Sequence, residues 1–235
     1  LQTEDIAAMA LSTNYTNPLG ALVPDDHKRR LVELATRHKV PLIEDDAYGD
    51  TGFDGRRPAS LKAWDVHGWV LSCGTLSKTL SPGLRVGWVA PGRFYSRVMH
   101  LKLVTSIGST TLSQLAAAEF LQNGGYDRHL RKLRRSYRDH VRTISDAVRQ
   151  SFPAGTRLSR PCGGQFLWVE LPQPADTIAM FEQAWDAGVS FAPGPMFSPS
   201  GGYRSFLRLN CSVHGGDDVL EAVRMLGRLA AAQLV

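Results

Sequence analysis

Three polar residues in the first half of the chain follow predicted strands at the points where those strands end. Asn17 follows the first strand, Asp45 the second and Lys78 the third, and Tyr48 lies about one turn beyond Asp45. Singly, each has an ordinary explanation: a turn at Asn17, a capping aspartate, a solvated lysine. The carboxyl ends of parallel strands, however, share one edge of a sheet, and ligands bind there. Together the residues predict a site with an amine nucleophile, a carboxylate and hydrogen-bonding groups.

Four short motifs carry these side chains and occur in a fixed order along the sequence. They are NPLG at 17–20, DDAY at 45–48, SKTLSPGLRVG at 77–87 and FLRLN at Phe206–Asn210. In order and spacing they resemble the class I and II aminotransferases of pyridoxal phosphate fold type I. One such motif would say little, but four in order, over nearly the whole chain, identify the sequence as similar to that family.

The resemblance implies pyridoxal 5′-phosphate as the cofactor, held as an internal aldimine on Lys78. The lysine is then the catalytic group, because its amine, once freed by substrate, can move the α-proton as a general base. Asp45 would keep the pyridine nitrogen protonated, so that the ring can act as an electron sink. Asn17 and Tyr48 would hydrogen-bond the phenolate oxygen of the ring.

Other residues of the motifs are implied to hold the phosphate and the substrate. Arg85 would clamp the phosphate, since its planar fork suits paired oxygens, and Thr75 and Ser77 would add hydroxyl donors. Arg208 would bind the α-carboxylate of an amino acid bidentately, and Asn17 would share in substrate binding.

Finer details resemble the effector domain of MocR-type regulators of the GntR superfamily, in which a winged-helix DNA-binding domain precedes an aminotransferase-like domain. The segments concerned are 17–20, 43–49, 192–198 and 207–210. This resemblance implies a homodimer that recognises an amino acid or amine ligand and reaches DNA only through an N-terminal domain. One alternative is a free aminotransferase of the 2-aminoadipate type, acting on an amino acid and a 2-oxo acid. Another is a degenerate fragment that mediates protein contacts, so whether the chain is an enzyme stays open.

The sequence begins at Leu1, and we expect it to be part of a longer protein. It contains no winged helix, and it lacks the first strands, the phosphate-binding turn and the stacking aromatic residue that the family places N-terminally. A sheet without those strands should expose an apolar edge and an apolar face.

Hydrophobic periodicity predicts the elements that must position the site. Strands are predicted at 6–14, 40–44, 69–73 and 86–90, with helices at 24–38 and at 93–122, the latter interrupted at 105–111. This alternation predicts an α/β fold with a mostly parallel sheet and flanking helices, which is the incomplete large domain of fold type I. We assign residues 1–125 to this cofactor-binding domain.

Residues 126–235 are predicted to form a linking helix and a smaller C-terminal α+β domain. Strands are expected at 165–171, 189–192 and Phe206–Asn210, and helices at 176–187 and 217–234. The net charge of +5 lies in the linking helix, where residues 126–150 hold eight basic and three acidic side chains. An apolar stripe in the same segment favours an amphipathic helix with a solvated basic face over a DNA contact.

The remaining features of the sequence argue against several kinds of site. The cysteines Cys73, Cys162 and Cys211 lie far apart and form no CxxC pair or Cys/His cluster, so we expect no metal site and no disulfide. Unpaired cysteines suit the reducing cytoplasm, which is the expected location. No segment approaches the roughly 20 apolar residues of a transmembrane helix, so no membrane contact is expected.

Overall fold

The computed structural model describes residues 5–212 and 216–234, which fall into two units. Within the described residues, the first unit comprises 5–16 and 21–133, and the second comprises 17–20, 134–212 and 216–234. The predicted domain boundary between residues 125 and 126 lies at the start of a long helix whose residues belong to both units.

The first unit is organised around a sheet of four strands arranged in chain order. The strands are β1 (Met9–Leu11), β2 (Leu42–Asp45), β3 (Val70–Thr75) and β4 (Gly87–Ala90). β1, β2 and β3 pair in parallel, whereas β4 is antiparallel to β3. The predicted α/β fold with a mostly parallel sheet is therefore confirmed. Because Asp45 lies opposite Cys73 in the ladder, the chain leaves β2 and β3 at the same edge of the sheet.

The core of the first unit lies between the sheet and helix α1 (Asp25–His38). Two aspartates in its first turn complement the helix dipole, and Lys39 ends it in the left-handed conformation at φ 56°. The core residues are Val32, Ala35, Leu42, Leu61 and Val70, all of them buried. Burial of each large member contributes about 1.5–3 kcal/mol, so this contact fixes the helix on the sheet.

Helices α2 (Tyr95–Ser106) and α3 (Thr111–Gln122) confirm the predicted helical stretch and its interruption. α2 has no buried residue, and α3 buries only Ala117. Most of the large apolar side chains of β4, α2, α3 and the α2–α3 connection are exposed: Trp88, Val89, Tyr95, Met99, Leu101, Leu103, Val104, Ile107, Leu112, Leu115 and Leu121. Among the described strands, β1 and β4 each pair on one side only. The first unit thus has the open edges and the exposed apolar face that the sequence predicts.

Helix α4 (Gly125–Ser151) confirms the predicted amphipathic helix. Its apolar stripe is buried at Leu130, Tyr137, Val141, Ile144 and Val148. Most of its arginines are exposed: Arg128, Arg131, Arg135, Arg138, Arg142 and Arg149. The stripe therefore determines which side of the helix packs, and the charge faces solvent.

The second unit contains an antiparallel sheet with the strand order β5-β6-β8-β7. The strands are β5 (Arg157–Leu158), β6 (Phe166–Glu170), β7 (Ala192–Pro193) and β8 (Phe206–Asn210). Helices α5 (Thr177–Asp186) and α6 (Asp217–Ala232) complete the predicted α+β unit. None of the helices in the described part of the chain is long and apolar enough to cross a bilayer.

Candidate functional site

The end of β2 places Asp45 and Tyr48 in different environments. Asp45 is exposed, whereas Glu44 and Asp46 on either side of it are buried, as strand alternation requires. The Asp45 carboxylate accepts a hydrogen bond from the backbone amide of Ala47 at 3.2 Å. Tyr48 is buried, and its carbonyl oxygen accepts from the amide and hydroxyl of Thr51 at 2.9 and 2.6 Å. The chain thus turns sharply after the strand and leaves the Asp45 carboxylate facing away from the core.

Lys78 lies in a tight turn that follows β3. The backbone amides of Leu80 and Ser81 both point to the carbonyl oxygen of Leu76, at 2.8 and 3.1 Å. The half-buried side chain of Lys78 brings its Nζ atom 6.0 Å from the centre of the Tyr48 ring. Two residues that the sequence assigns to one site, from two successive strand ends, therefore lie close together.

Two hydroxyl groups and a guanidinium lie at the end of β3 and in its connection to β4. Thr75 Oγ1 lies 2.9 Å from Ser77 Oγ and accepts from the Ser77 amide at 3.1 Å. Arg85 is exposed and has a positive φ of 54°, which is uncommon outside glycine and typically costs about 1–3 kcal/mol. Thr75 pairs with Gly87 in the β-ladder, two residues after Arg85. The connection thus carries donors of the kind that bind phosphate.

Arg208 and Asn17 meet within the second unit. Arg208 on β8 alternates with the buried residues Leu207 and Leu209. Its guanidinium lies 4.4 Å from the ring centre of Phe166 and 5.2 Å from that of Phe197. Arg208 Nη1 donates to Asn17 Oδ1 at 2.9 Å. The two residues implied to bind substrate are brought together here, and two aromatic faces hold the guanidinium in place.

The NPLG turn that carries Asn17 is closely packed. The Asn17–Pro18 peptide bond is cis, and Gly20 has a φ of 65°. A Cβ atom on Gly20 would lie 2.4 Å from Pro161 Cβ, which is too close for any other residue. The turn therefore needs glycine at this position in order to lie against Pro161.

A buried polar network lies behind the end of β2, and the sequence analysis missed it. Lys28 has no exposed side-chain surface, and its Nζ donates to Asn14 Oδ1 and Ala59 O, each at 2.7 Å. Asn14 in turn donates to Asp46 Oδ1 at 2.9 Å. Arg57 binds the other Asp46 oxygen at 2.5 Å. Lys28 shares the inner face of α1 with Val32, and this placement of a lysine among core positions is the signal that could have revealed the network.

Asp46 is the central carboxylate of this network. Burial raises the pKa of the Asp46 carboxyl above its usual value, while Arg57 and the hydrogen bond from Asn14 act in the opposite direction. Arg57 Nη1 also contacts Asp50 Oδ1 at 3.1 Å. Since Asp46 and Asp50 flank Tyr48, the network holds the segment that carries Asp45 and Tyr48 from its inner side.

Several known proteins are similar to this chain in sequence. The family model "Aminotransferase class I and II" matches residues 2–226. An uncharacterized HTH-type transcriptional regulator of Escherichia coli, YjiR, is 39% identical over 97% of this chain and 48% of its own length. The 2-aminoadipate transaminase of Thermus thermophilus is 32% identical, over 97% of this chain and 58% of its own. The chain thus spans about half the length of the curated relatives that it matches.

A solved structure extends the comparison to the fold. LysN, the α-aminoadipate aminotransferase of Thermus thermophilus, complexed with N-(5′-phosphopyridoxyl)-L-leucine, superposes with a TM-score of 0.89 at 30% identity. The superposition covers 97% of this chain and 59% of that one. These matches confirm the resemblance to fold type I aminotransferases and to MocR-type regulators. The chain belongs to the class I and II aminotransferase family, whose members depend on pyridoxal 5′-phosphate.

Proposed function

We propose that this chain is the lysine-bearing part of a pyridoxal 5′-phosphate domain, which serves as the effector domain of a MocR-type transcriptional regulator. The observation that carries the proposal is the proximity of Lys78 and Tyr48, with the Asp45 carboxylate exposed on the Tyr48 segment. An amine, a phenol and a carboxylate at one sheet edge are the groups that a pyridine aldehyde cofactor needs. The 39% identity with a helix-turn-helix regulator supports the regulatory role.

The donor groups at the end of β3 and in its connection to β4 would fit the phosphate of that cofactor. The hydroxyls of Thr75 and Ser77 and the guanidinium of Arg85 would hold it, because charged and neutral donors together satisfy several phosphate oxygens. The left-handed backbone of Arg85 fits this role, since such strain is concentrated at binding sites.

The residues at the ends of β2 and β3 would control protonation and proton transfer at the site. Asp45 would hold a proton on the ring nitrogen, because a carboxylate close to a base raises its pKa by about 1–3 units. The Tyr48 hydroxyl would donate to the phenolate oxygen, and the Lys78 amine would accept a proton from the ligand's α-carbon. When bound, the cofactor itself supplies the electron sink.

Arg208 and Asn17 would recognise the ligand through its α-carboxylate. A guanidinium offers two parallel donors to a carboxylate, and the two flanking rings limit the orientations that Arg208 can adopt. Asn17, which accepts from Arg208 Nη1, would fix the orientation further. The ligand class is therefore amino acids rather than simple amines.

The same proposal includes a homodimer and contact with DNA through an additional N-terminal domain. Large apolar side chains are exposed on both α2 and α3, and a protein partner would bury them. The exposed arginines of α4 would contribute to DNA binding only weakly and without sequence preference.

A free aminotransferase of the 2-aminoadipate type is the second candidate function. The observation in its favour is the 32% identity with the 2-aminoadipate transaminase, over 97% of the chain. Both candidates need the same cofactor residues, so they differ in turnover and in DNA binding rather than in the cofactor site.

The test uses the full-length protein loaded with pyridoxal phosphate and a duplex from its own upstream region. A regulator should bind the duplex selectively, and one amino acid should change that affinity by roughly 5- to 150-fold without sustained turnover. Repeated transfer of amino groups to a 2-oxo acid, with no selective DNA binding, would establish the free enzyme instead. A protein that takes up no cofactor would contradict both and leave the degenerate fragment.

A further inference from the structure

Thr79, the residue after Lys78, contacts two side chains from the N-terminal part of α4. Thr79 is 2% exposed. The Tyr126 hydroxyl donates to Thr79 Oγ1 at 2.9 Å, and His129 Nε2 lies 2.7 Å from the Thr79 carbonyl oxygen. Because a carbonyl oxygen can only accept, the proton of this hydrogen bond must be on His129 Nε2. Two side chains of one helix thus fix both the side chain and the backbone of Thr79.

Within the turn itself, the backbone hydrogen bonds converge on a single atom. The amides of Leu80 and Ser81 point to Leu76 O at 2.8 and 3.1 Å, and that of Thr79 does so at 3.3 Å. These bonds close the turn on itself, and the Leu76 amide also donates to Val86 O at 3.0 Å, next to the start of β4. The contacts from Tyr126 and His129 attach the turn to α4 as well.

Tyr126 also reaches the segment that carries Asp45 and Tyr48. Its hydroxyl lies 3.5 Å from Asp50 Oδ2, and Asp50 contacts Arg57 at 3.1 Å. Arg57 contacts Asp46, next to Asp45, at 2.5 Å. Burial raises the pKa of the Tyr126 hydroxyl, so it stays protonated and able to donate at neutral pH. A chain of polar contacts therefore runs from the Lys78 turn to the Asp45–Tyr48 segment.

We propose that Tyr126 and His129 are positioning residues that set the place of Lys78 relative to Tyr48 and Asp45. Both residues act through Thr79, which follows Lys78 in the chain. A displacement of about 1 Å in a reacting group can cost on the order of 100-fold in rate. Contacts that hold the residue next to Lys78 in place can therefore affect the reaction rate. The inference rests on the proposed role of Lys78 as the cofactor-bearing lysine.

The test compares variants of the full-length protein that change one contact at a time. Tyr126→Phe removes the hydroxyl alone. His129→Leu removes the donor to Thr79, whereas His129→Gln keeps an N–H donor on a side chain of similar length. Tyr203→Phe and His27→Leu are the controls, since both residues are exposed and lie outside α4. For each protein we would measure pyridoxal phosphate affinity, the pH titration of the visible band and the melting temperature.

We expect Tyr126→Phe and His129→Leu to weaken cofactor affinity roughly three- to tenfold, the size of one lost hydrogen bond, and to displace the pH midpoint of the visible band. His129→Gln should restore both values, and the controls should match wild type. Wild-type affinity and titration in Tyr126→Phe would overturn the inference, even if His129→Leu failed to fold. So would equal behaviour of the folded Gln and Leu variants of His129.

Failure of the proposed function can be told apart from failure of the inference. Borohydride reduction of the loaded wild-type protein locates the cofactor-bearing residue. An adduct elsewhere than Lys78 would remove the proposed function, and the inference with it. An adduct on Lys78, together with Tyr126 and His129 variants that behave like wild type, would overturn the inference but leave the proposed function standing.

Discussion

Asp45 and Asp46 are adjacent in sequence but lie on opposite sides of the chain at the end of β2. Asp45 is exposed, and its carboxylate accepts a hydrogen bond from the nearby Ala47 amide. Asp46 is 6% exposed and is held by Asn14 and Arg57. One carboxylate is therefore available to a ligand, and its neighbour belongs to the interior of the fold.

This separation predicts different defects for the two alanine variants of the full-length protein. Asp45→Ala should keep the wild-type stability but slow the spectral change on adding an amino acid roughly 10- to 1,000-fold, because the ring nitrogen loses its carboxylate. Asp46→Ala should lower the free energy of unfolding by about 1–3 kcal/mol, since Asn14 and Arg57 lose a buried partner. Stopped-flow absorbance and urea titration measure the two effects. A slow Asp46→Ala protein beside a normal Asp45→Ala protein would show that the register is wrong.

The buried lysine of α1 predicts a stability defect of its own. Lys28→Met keeps the apolar length of the side chain but leaves Asn14 Oδ1 and Ala59 O without their donor. The free energy of unfolding should fall by about 1–3 kcal/mol for each buried group left unsatisfied. Arg30→Met, on the exposed side of the same helix, should stay within about 0.5 kcal/mol of wild type. Equal stability of the two variants in urea titration would contradict the network.

Asp65 predicts a dependence of stability on pH. Burial alone would raise the pKa of its carboxyl, but hydrogen bonds from Lys62, Val70 N and Trp69 N outweigh burial and hold the pKa below its usual value. A lowered pKa in the folded state adds stability that is complete above the usual value, about 3.9, and is lost as pH falls through the folded value. The advantage of wild type over Asp65→Asn in unfolding free energy should thus be constant at neutral pH and shrink below about pH 3.9.

The control for this pH series is Asp186→Asn, which changes an exposed carboxylate. Its difference from wild type should stay small throughout the series. A gap between wild type and Asp65→Asn that widened on acidification would reverse the predicted sign.

Arg208 predicts selectivity for ligands with an α-carboxylate. Arg208→Ala should weaken the binding of amino acids by about 1.5–3 kcal/mol, or roughly 10- to 100-fold, but leave the matching decarboxylated amines unaffected. Arg208→Lys should recover little, because lysine lacks the planar fork. Arg157→Ala, an exposed arginine on β5, is the matched control. Titration of the visible band with both ligand series measures the effect. Full discrimination in Arg208→Ala would make Arg208 a surface residue without a role in selectivity.

The sequence was sufficient to locate the strand ends that carry the candidate site. Turn-forming residues and hydrophobic runs bracket β2 and β3, so Asp45 and Lys78 could be assigned to one edge without long-range information. Strand β5 was not predicted, and β7 was predicted too early in the chain, because two residues are too few to form a periodic pattern.

Contacts between distant parts of the chain could not be predicted in this way. Lys28 meets Ala59 across 31 residues, and Arg208 meets Asn17 across 191. The hydrophobic periodicity of a short segment gives no information about partners that are distant in sequence. In addition, a lysine on a helix is normally assigned to the solvent-exposed face. The resemblance implied that Asn17 and Arg208 both serve the substrate, but not that they hydrogen-bond each other.

The central claim is that Lys78 carries the cofactor, and borohydride reduction followed by peptide mapping tests it most directly. The full-length protein should show a visible absorption band with pyridoxal phosphate, lose that band on reduction, and yield a pyridoxyl adduct on the peptide that contains Lys78. The Lys78→Ala protein should give no adduct. An adduct on Lys62 or Lys102, or a wild-type protein that shows no band at all, would contradict the account.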